Sequence, residues 1–109
     1  MESLAESFTH YYYGTGKGHR GLERAVEQMR SGRYDLVVWD EVSTAVGLGL
    51  LSVESLLHAV EQRPEGCELV LTGRHYCEEL LPLCQLVTNF VEVKHYYHEG
   101  VLARQGIEF

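Results

Sequence analysis

The sequence has 109 residues, 45% of them hydrophobic, and a formal charge of -7. That length fits one domain able to bury a single sheet with helices on it, and it is too short for two cores. Sixteen acidic against nine basic residues exclude the basic stripe that a nucleic acid or an anionic membrane requires, while a phosphate ligand held by one locally positive loop stays allowed.

Met1 to Ser7 contains two glutamates and no basic residue ahead of an apolar run, so it does not read as a signal peptide. No stretch approaches the roughly eighteen apolar residues of a membrane span. Cys67, Cys77 and Cys84 are odd in number and lack C-x-x-C spacing, which points to a reduced, cytoplasmic setting. Cys77 and Cys84 stand seven apart, as two residues of one apolar helix face do; a zinc site would need His75 or a more distant ligand as well.

Phe8 to Tyr13, aromatic and bearing Thr9, predicts a short strand that ends at Gly14. Gly14-Thr15-Gly16-Lys17-Gly18 reads as a loop, because three glycines in five residues resist regular structure. Leu22, Val26 and Met29 recur at helical spacing among charged residues and predict an amphipathic helix over 21–31, ended near Gly32. Tyr34 to Trp39 is the strongest strand, an uninterrupted apolar run of the kind helices cover on both faces. Ser52 is a candidate N-cap for a helix from Val53 to Gln62, with Val53, Leu56, Leu57 and Val60 on one face. Cys67 to Leu71 predicts the next strand, followed by a Thr72-Gly73-Arg74 turn. Glu78 to Leu83 predicts a helical piece stopped or kinked at Pro82, and Leu86 to Val93 a last strand.

Strands alternating with helices predict a single α/β domain built on a mostly parallel sheet, with ligands beyond the C-terminal strand ends. Asp40, Glu41, Thr72, Gly73 and Arg74 fall at such ends. Asp40 is the candidate Mg²⁺ ligand and Glu41 its support, since an acidic pair closing an apolar strand beside a phosphate loop holds a nucleotide-bound metal. The same pair also arises as a plain helix cap. The stretch Gly14 to Gly18 resembles a phosphate loop, but His19 and Arg20 follow it where Lys and Ser or Thr belong; the alternative is a solvated turn. Arg74 suits an anion at the sheet edge or a surface ion pair. Lys94 and His95, with Tyr96, Tyr97 and His98, suit a flat cofactor, another subunit or an ordinary tyrosine-packed edge.

Taken in order, Tyr34-Asp35-Leu36-Val37-Val38-Trp39-Asp40-Glu41, Arg63-Pro64, Val70-Leu71-Thr72-Gly73-Arg74, Leu86-Val87-Thr88, Val93-Lys94-His95, Gly100 and Arg104-Gln105-Gly106-Ile107-Glu108 resemble the ATP:corrinoid adenosyltransferases of cobalamin biosynthesis. The resemblance runs from Arg33 to Phe109. It implies a three-layer fold of P-loop NTPase type, here truncated, which transfers the adenosyl group of ATP to the Co(I) of a corrinoid with Mg²⁺ held at Asp40 and Glu41. It also implies a homodimer, or a partner chain that supplies the missing N-terminal half. Two alignments of the first part remain open. One sets Tyr13 to Gly18 on the family's G-x-G-K-G-K-T loop; the other sets Phe8-Thr9-His10 on a segment later than that loop and leaves no phosphate loop at all. Gln85, Asn89, Ser43 and Tyr96 depart from the family pattern, where Asp, Glu, Asn and Pro are usual. The rival reading is a non-catalytic binding or regulatory module that keeps the fold.

Overall fold

The computed structural model of the protein describes residues 2–8, 17–91 and 93–94, with side chains in the first helix described from residue 20 onward. The elements are β1 (Ser3–Ser7), α1 (Lys17–Met29), β2 (Leu36–Asp40), α2 (Val42–Gly47), α3 (Val53–Glu61) and β3 (Glu68–Leu71), then a 3-10 helix at Glu78–Leu83. The strands form one parallel sheet in the order β1-β2-β3, so the α/β class and the parallel sheet hold.

The register aligns Leu4, Val37 and Leu69 in one row and Glu6, Trp39 and Leu71 in the next. Val37 and Trp39 are fully buried against a core that includes Leu22, Ala25 and Met29 of α1 and Leu56 and Ala59 of α3. Side chains alternate along a strand, so Ala5, Val38 and Val70 form a row on the opposite face. None of these three belongs to the core, and Ala5 and Val70 are exposed. The described residues therefore make two layers, helices on one face of a sheet, where three were expected. A continuous apolar run is compatible with either arrangement, and here half of it is only partly covered.

Local chemistry accounts for the element ends. Gly32 takes φ 81° just after α1, the left-handed position that closes a helix and that glycine adopts without a Cβ clash. The Ser52 hydroxyl oxygen accepts the Ser55 N–H at 3.2 Å and caps α3 as its sequence predicts. Several boundaries differ from expectation. The first strand is Ser3–Ser7, not Phe8–Tyr13; Phe8 lies just beyond it, and residues 9–13 fall outside the described ones. Helix α1 starts at Lys17, so Lys17 and Gly18 belong to a helix, not a loop; a first turn tolerates glycine because its N–H groups have no intrahelical partners in any case.

Leu86 to Val91 is not a strand, and its apolar side chains lie exposed. A strand requires a neighbour to complete its hydrogen bonds, and the described residues offer none. Cys77 and Cys84 flank the 3-10 helix without sharing a face: Cys77 is buried and Cys84 exposed. No helix among the described residues is long and apolar enough to cross a membrane.

Burial pushes the Cys67 and Cys77 thiols up, with nearby Arg63 partly opposing this at Cys67. The folded state thus holds both protons more tightly than the unfolded chain. This contribution is whole below the ordinary thiol value of about 8.5 and is lost as pH rises from there toward the folded values. Thiol titration of the native protein should label Cys84 quickly and the other two only on unfolding. In urea melts, Leu56→Ala should cost about 2–5 kcal/mol, whereas replacing exposed Phe90 with Ser should leave stability within about 0.5 kcal/mol.

Candidate functional site

Because β1, β2 and β3 are parallel, their C-terminal ends lie together, and Ser7 pairs with Asp40 there. The Phe8 N–H donates to the Asp40 carbonyl at 2.9 Å, and the Thr72 N–H to the Trp39 carbonyl at 3.2 Å. The ladder thereby sets Asp40 and Thr72 side by side. The Thr72 hydroxyl donates to Asp40 Oδ1 at 2.7 Å and accepts the Glu41 N–H at 2.9 Å. One hydroxyl thus fixes one carboxylate oxygen and the backbone after it. Asp40 is exposed, and its Oδ2 has no partner among the described residues.

Glu41 has φ 61°, making it the single non-glycine residue with positive φ among those described. This conformation costs about 1–2 kcal/mol for an L-residue. The Thr72 hydroxyl holds its N–H, and its carbonyl accepts the Ala45 N–H at 3.0 Å as α2 begins. Strain that neighbouring contacts enforce is common at functional sites.

A second set of contacts locks the turn after β3 to the first turn of α2. The Ser43 N–H donates to the Thr72 carbonyl at 3.3 Å, and the Arg74 N–H to Thr44 Oγ1 at 2.8 Å. Gly73 sits so close that a Cβ there would overlap Ser43 Oγ and come within 2.8 Å of the Thr44 backbone nitrogen. Sequence reasoning missed Thr44 and the role of Gly73. The signal available was a pair of small hydroxyl residues directly after the acidic pair. It also missed α2 altogether, whose Val42-Ser43-Thr44 start has weak helix propensity.

The structure brings Asp40, Glu41 and Thr72 together and carries Arg74 beside them. The Arg74 and Arg20 side chains are exposed and have no partner among the described residues. Lys17, Gly18 and His19 open α1, while Lys94 is exposed after the 3-10 helix. Gly14, Thr15, Gly16 and His95 lie outside the described residues. Among those described, no three His, Cys, Asp or Glu residues stand close enough to enclose a metal. A nucleotide-bound Mg²⁺ needs no such cage, since it takes one or two carboxylates and fills its octahedron with phosphate oxygens and water. The hard oxygens of Asp40, one immobilised and one open, fit that demand. A groove of about 370 Å³ between α1 and α3, lined by Leu22, Val26, His58 and Ala59 among others, shares no residue with this cluster.

The close approach at Gly73 makes a definite prediction. Gly73→Ala should destabilise the fold by about 1–3 kcal/mol through overpacking. Adding Ser43→Gly should recover only part of that, because the Thr44 backbone nitrogen stays in the way; full recovery in a denaturant melt would count against this geometry. Glu41→Gly should raise stability by about 1 kcal/mol by relieving the left-handed strain.

The family model described as ATP:corrinoid adenosyltransferase BtuR/CobO/CobP matches residues 15–109. The chain is 34% identical over 91 residues to a Sinorhizobium corrinoid adenosyltransferase, covering 83% of this chain and 42% of that protein. Against the corrinoid adenosyltransferase of Escherichia coli K12 it is 29% identical over 87 residues, 80% of this chain and 44% of the relative. A Nostoc protein described as uncharacterized protein all2391 is 33% identical over 96 residues, 85% of this chain and 25% of its own length. The chain spans less than half the length of these relatives. The Asp40-Glu41 strand end and the Thr72-Gly73-Arg74 turn lie inside the matched residues, and the chain belongs to the ATP:corrinoid adenosyltransferase family.

Proposed function

We propose that this chain forms the metal-holding half of a site that transfers the adenosyl group of ATP to Co(I) of a corrinoid, on a fold of P-loop NTPase type. The observation that carries this reading is the Thr72 hydroxyl bridging Asp40 Oδ1 and the Glu41 N–H at the sheet's C-terminal edge. In this reaction cobalt attacks the ribose 5′ carbon, the bond from that carbon to the phosphate oxygen breaks, and triphosphate departs with the bonding electrons. Charge therefore builds on the leaving group, and the protein's work is to place the reactants and neutralise that charge.

Each residue has a distinct part. Asp40 would hold Mg²⁺ through its open oxygen, and the ion would supply charge neutralisation on the phosphates. Thr72 holds the other oxygen, so the carboxylate does not rotate out of place. Glu41, in its left-handed backbone conformation, would support the metal beside Asp40. The Arg74 guanidinium, unpartnered among the described residues, is supplied to the triphosphate, on which a planar fork can bond two oxygens at once. Lys94 and His95 serve the corrinoid side. Gly14 to Gly18, with His19 and Arg20, take a phosphate-facing role in this proposal, without the Lys-Thr pair of a complete loop; of these, Lys17 to Arg20 lie among the described residues, at the start of α1.

Calorimetric titration with Mg-ATP, with and without corrinoid, tests this. Saturable binding that drops at least tenfold in Asp40→Asn, falls in Thr72→Val and returns in Thr72→Ser is the expected pattern, followed by anaerobic transfer. Binding untouched by Asp40→Asn would remove the metal assignment. Absence of any saturable heat, for the chain alone and with its complement, would leave the non-catalytic module as the better account.

A further inference from the structure

We propose that His75, seated on Gly47 at the end of α2, is the positioning residue that aims the Arg74 guanidinium at the triphosphate. The inference rests on the adenosyltransferase reading and adds to it a residue that acts through its neighbour, not by touching the nucleotide.

The residues after β3 follow α2 from its start to its end. Thr72 meets Glu41 and Ser43, Gly73 meets Ser43 and Thr44, and the Arg74 N–H donates to Thr44 Oγ1 at 2.8 Å. His75 completes the series at Gly47, the last residue of the helix. A Cβ placed on Gly47 would lie 2.9 Å from His75 Cβ, 2.9 Å from its Cγ and 3.0 Å from its Nδ1. Carbon atoms pack at about 3.5–4.0 Å, so the two segments meet only because position 47 carries no side chain.

Glycine is a poor helix former, and Gly47 lacks the positive φ that Gly49 takes two residues later. A left-handed turn therefore does not account for it, whereas the approach of His75 does. The atoms in the way are Cβ and Cγ, close to the main chain. A methyl group at position 47 could not be cleared by swinging a free side-chain end, so the backbone at residue 75 would have to move.

Arg74 lies between two anchors. The bond to Thr44 fixes the main chain as it enters Arg74, and the seat on Gly47 fixes it as it leaves. Together they set the direction in which the Arg74 side chain departs. That side chain is long and exposed, with no partner for its guanidinium among the described residues, so a small tilt at its root becomes a large displacement at its tip. Oriented contacts lose much of their effect when displaced by about 1 Å. His75 is itself exposed, so it acts through contact along one side and not as part of the core.

The test uses the difference between the seat and the imidazole. Asparagine keeps counterparts of His75 Cβ, Cγ and Nδ1 but lacks the ring. In titrations with Mg-ATP and with magnesium tripolyphosphate, His75→Ala should weaken binding about fivefold, while His75→Asn should stay within about twofold of the parent. Gly47→Ala should weaken it as His75→Ala does, and neither should add to the loss in an Arg74→Ala background, since coupled residues share one effect. Without any ligand, hydrogen exchange at the Arg74 amide should speed up in His75→Ala and not in His75→Asn. Melts of both His75 variants should match the parent. Four results would overturn the proposal: His75→Asn as weak as His75→Ala, which makes the imidazole itself the anion contact; His75→Ala binding like the parent; losses that multiply with that of Arg74→Ala; or an Arg74 amide indifferent to His75→Ala. An Arg74 amide that responds as expected in a chain that binds neither ligand keeps His75 as the residue that positions Arg74 and overturns the adenosyltransferase reading. Mg-ATP binding that Asp40→Asn abolishes and His75→Ala leaves untouched does the reverse.

Discussion

Val37 and Trp39 have no exposed surface, and both stand on the middle strand. Taking their face out of water therefore ties β1, β3, α1 and α3 together in a single step, at about 1.5–3 kcal/mol for each large side chain. The same burial fixes the register. A slip of one residue would turn Val38 inward and expose Trp39, so the core tolerates one pairing only. With that pairing, Ser7 pairs with Asp40, and the N–H of Thr72, the residue after β3, donates to the Trp39 carbonyl. The 2.7 Å contact between Thr72 and Asp40 is thus a consequence of hydrophobic packing two residues away.

The cost of that placement falls on Glu41. Leaving β2 and entering α2 within one residue forces a left-handed backbone, for which glycine is the unstrained choice. A carboxylate there instead makes sense if the side chain has work to do, and the surrounding contacts are arranged to hold it. Thr72 takes its N–H, while Ser43 and Thr44 fasten the neighbouring turn from the other side. The two turns brace each other, which gives the acidic pair a stiff mount. Stiffness is what a charge-neutralising site needs, since dipoles that must reorganise during reaction give back much of their effect.

How much of this was legible in the sequence depends on where each element gets its stability. Residues Leu36 to Trp39 and Val53 to Glu61 carry their own signals, an apolar run and a capped amphipathic face, and both appear close to their predicted bounds. β1 has the sequence Ser-Leu-Ala-Glu-Ser, without a single β-branched residue, and is a strand only because β2 offers it a ladder. α2 is six residues long and exists because the chain must turn back beneath Gly73. The opposite failure occurs at 86–91, where the composition is right for a strand and the described residues offer no neighbour. The acidic pair and Thr72 could be found at strand ends by position alone, but Thr44 and the tight approach of Gly73 depend on two turns meeting, which no local pattern encodes.

Among the described residues β3 has no neighbour beyond β2, and an unpaired strand edge together with an exposed apolar run would ordinarily make a small domain aggregate. Net charge supplies a counterweight. At -7 over 109 residues, like copies repel at every approach, and the repulsion is least screened at low ionic strength. The acidic balance first excluded nucleic acid and anionic membrane as partners. On the folded chain the same balance works against self-pairing. An electrostatic bias of this kind acts mainly on encounter rate and on the choice of partner, while apolar contacts and open strand amides determine how long a complex lasts.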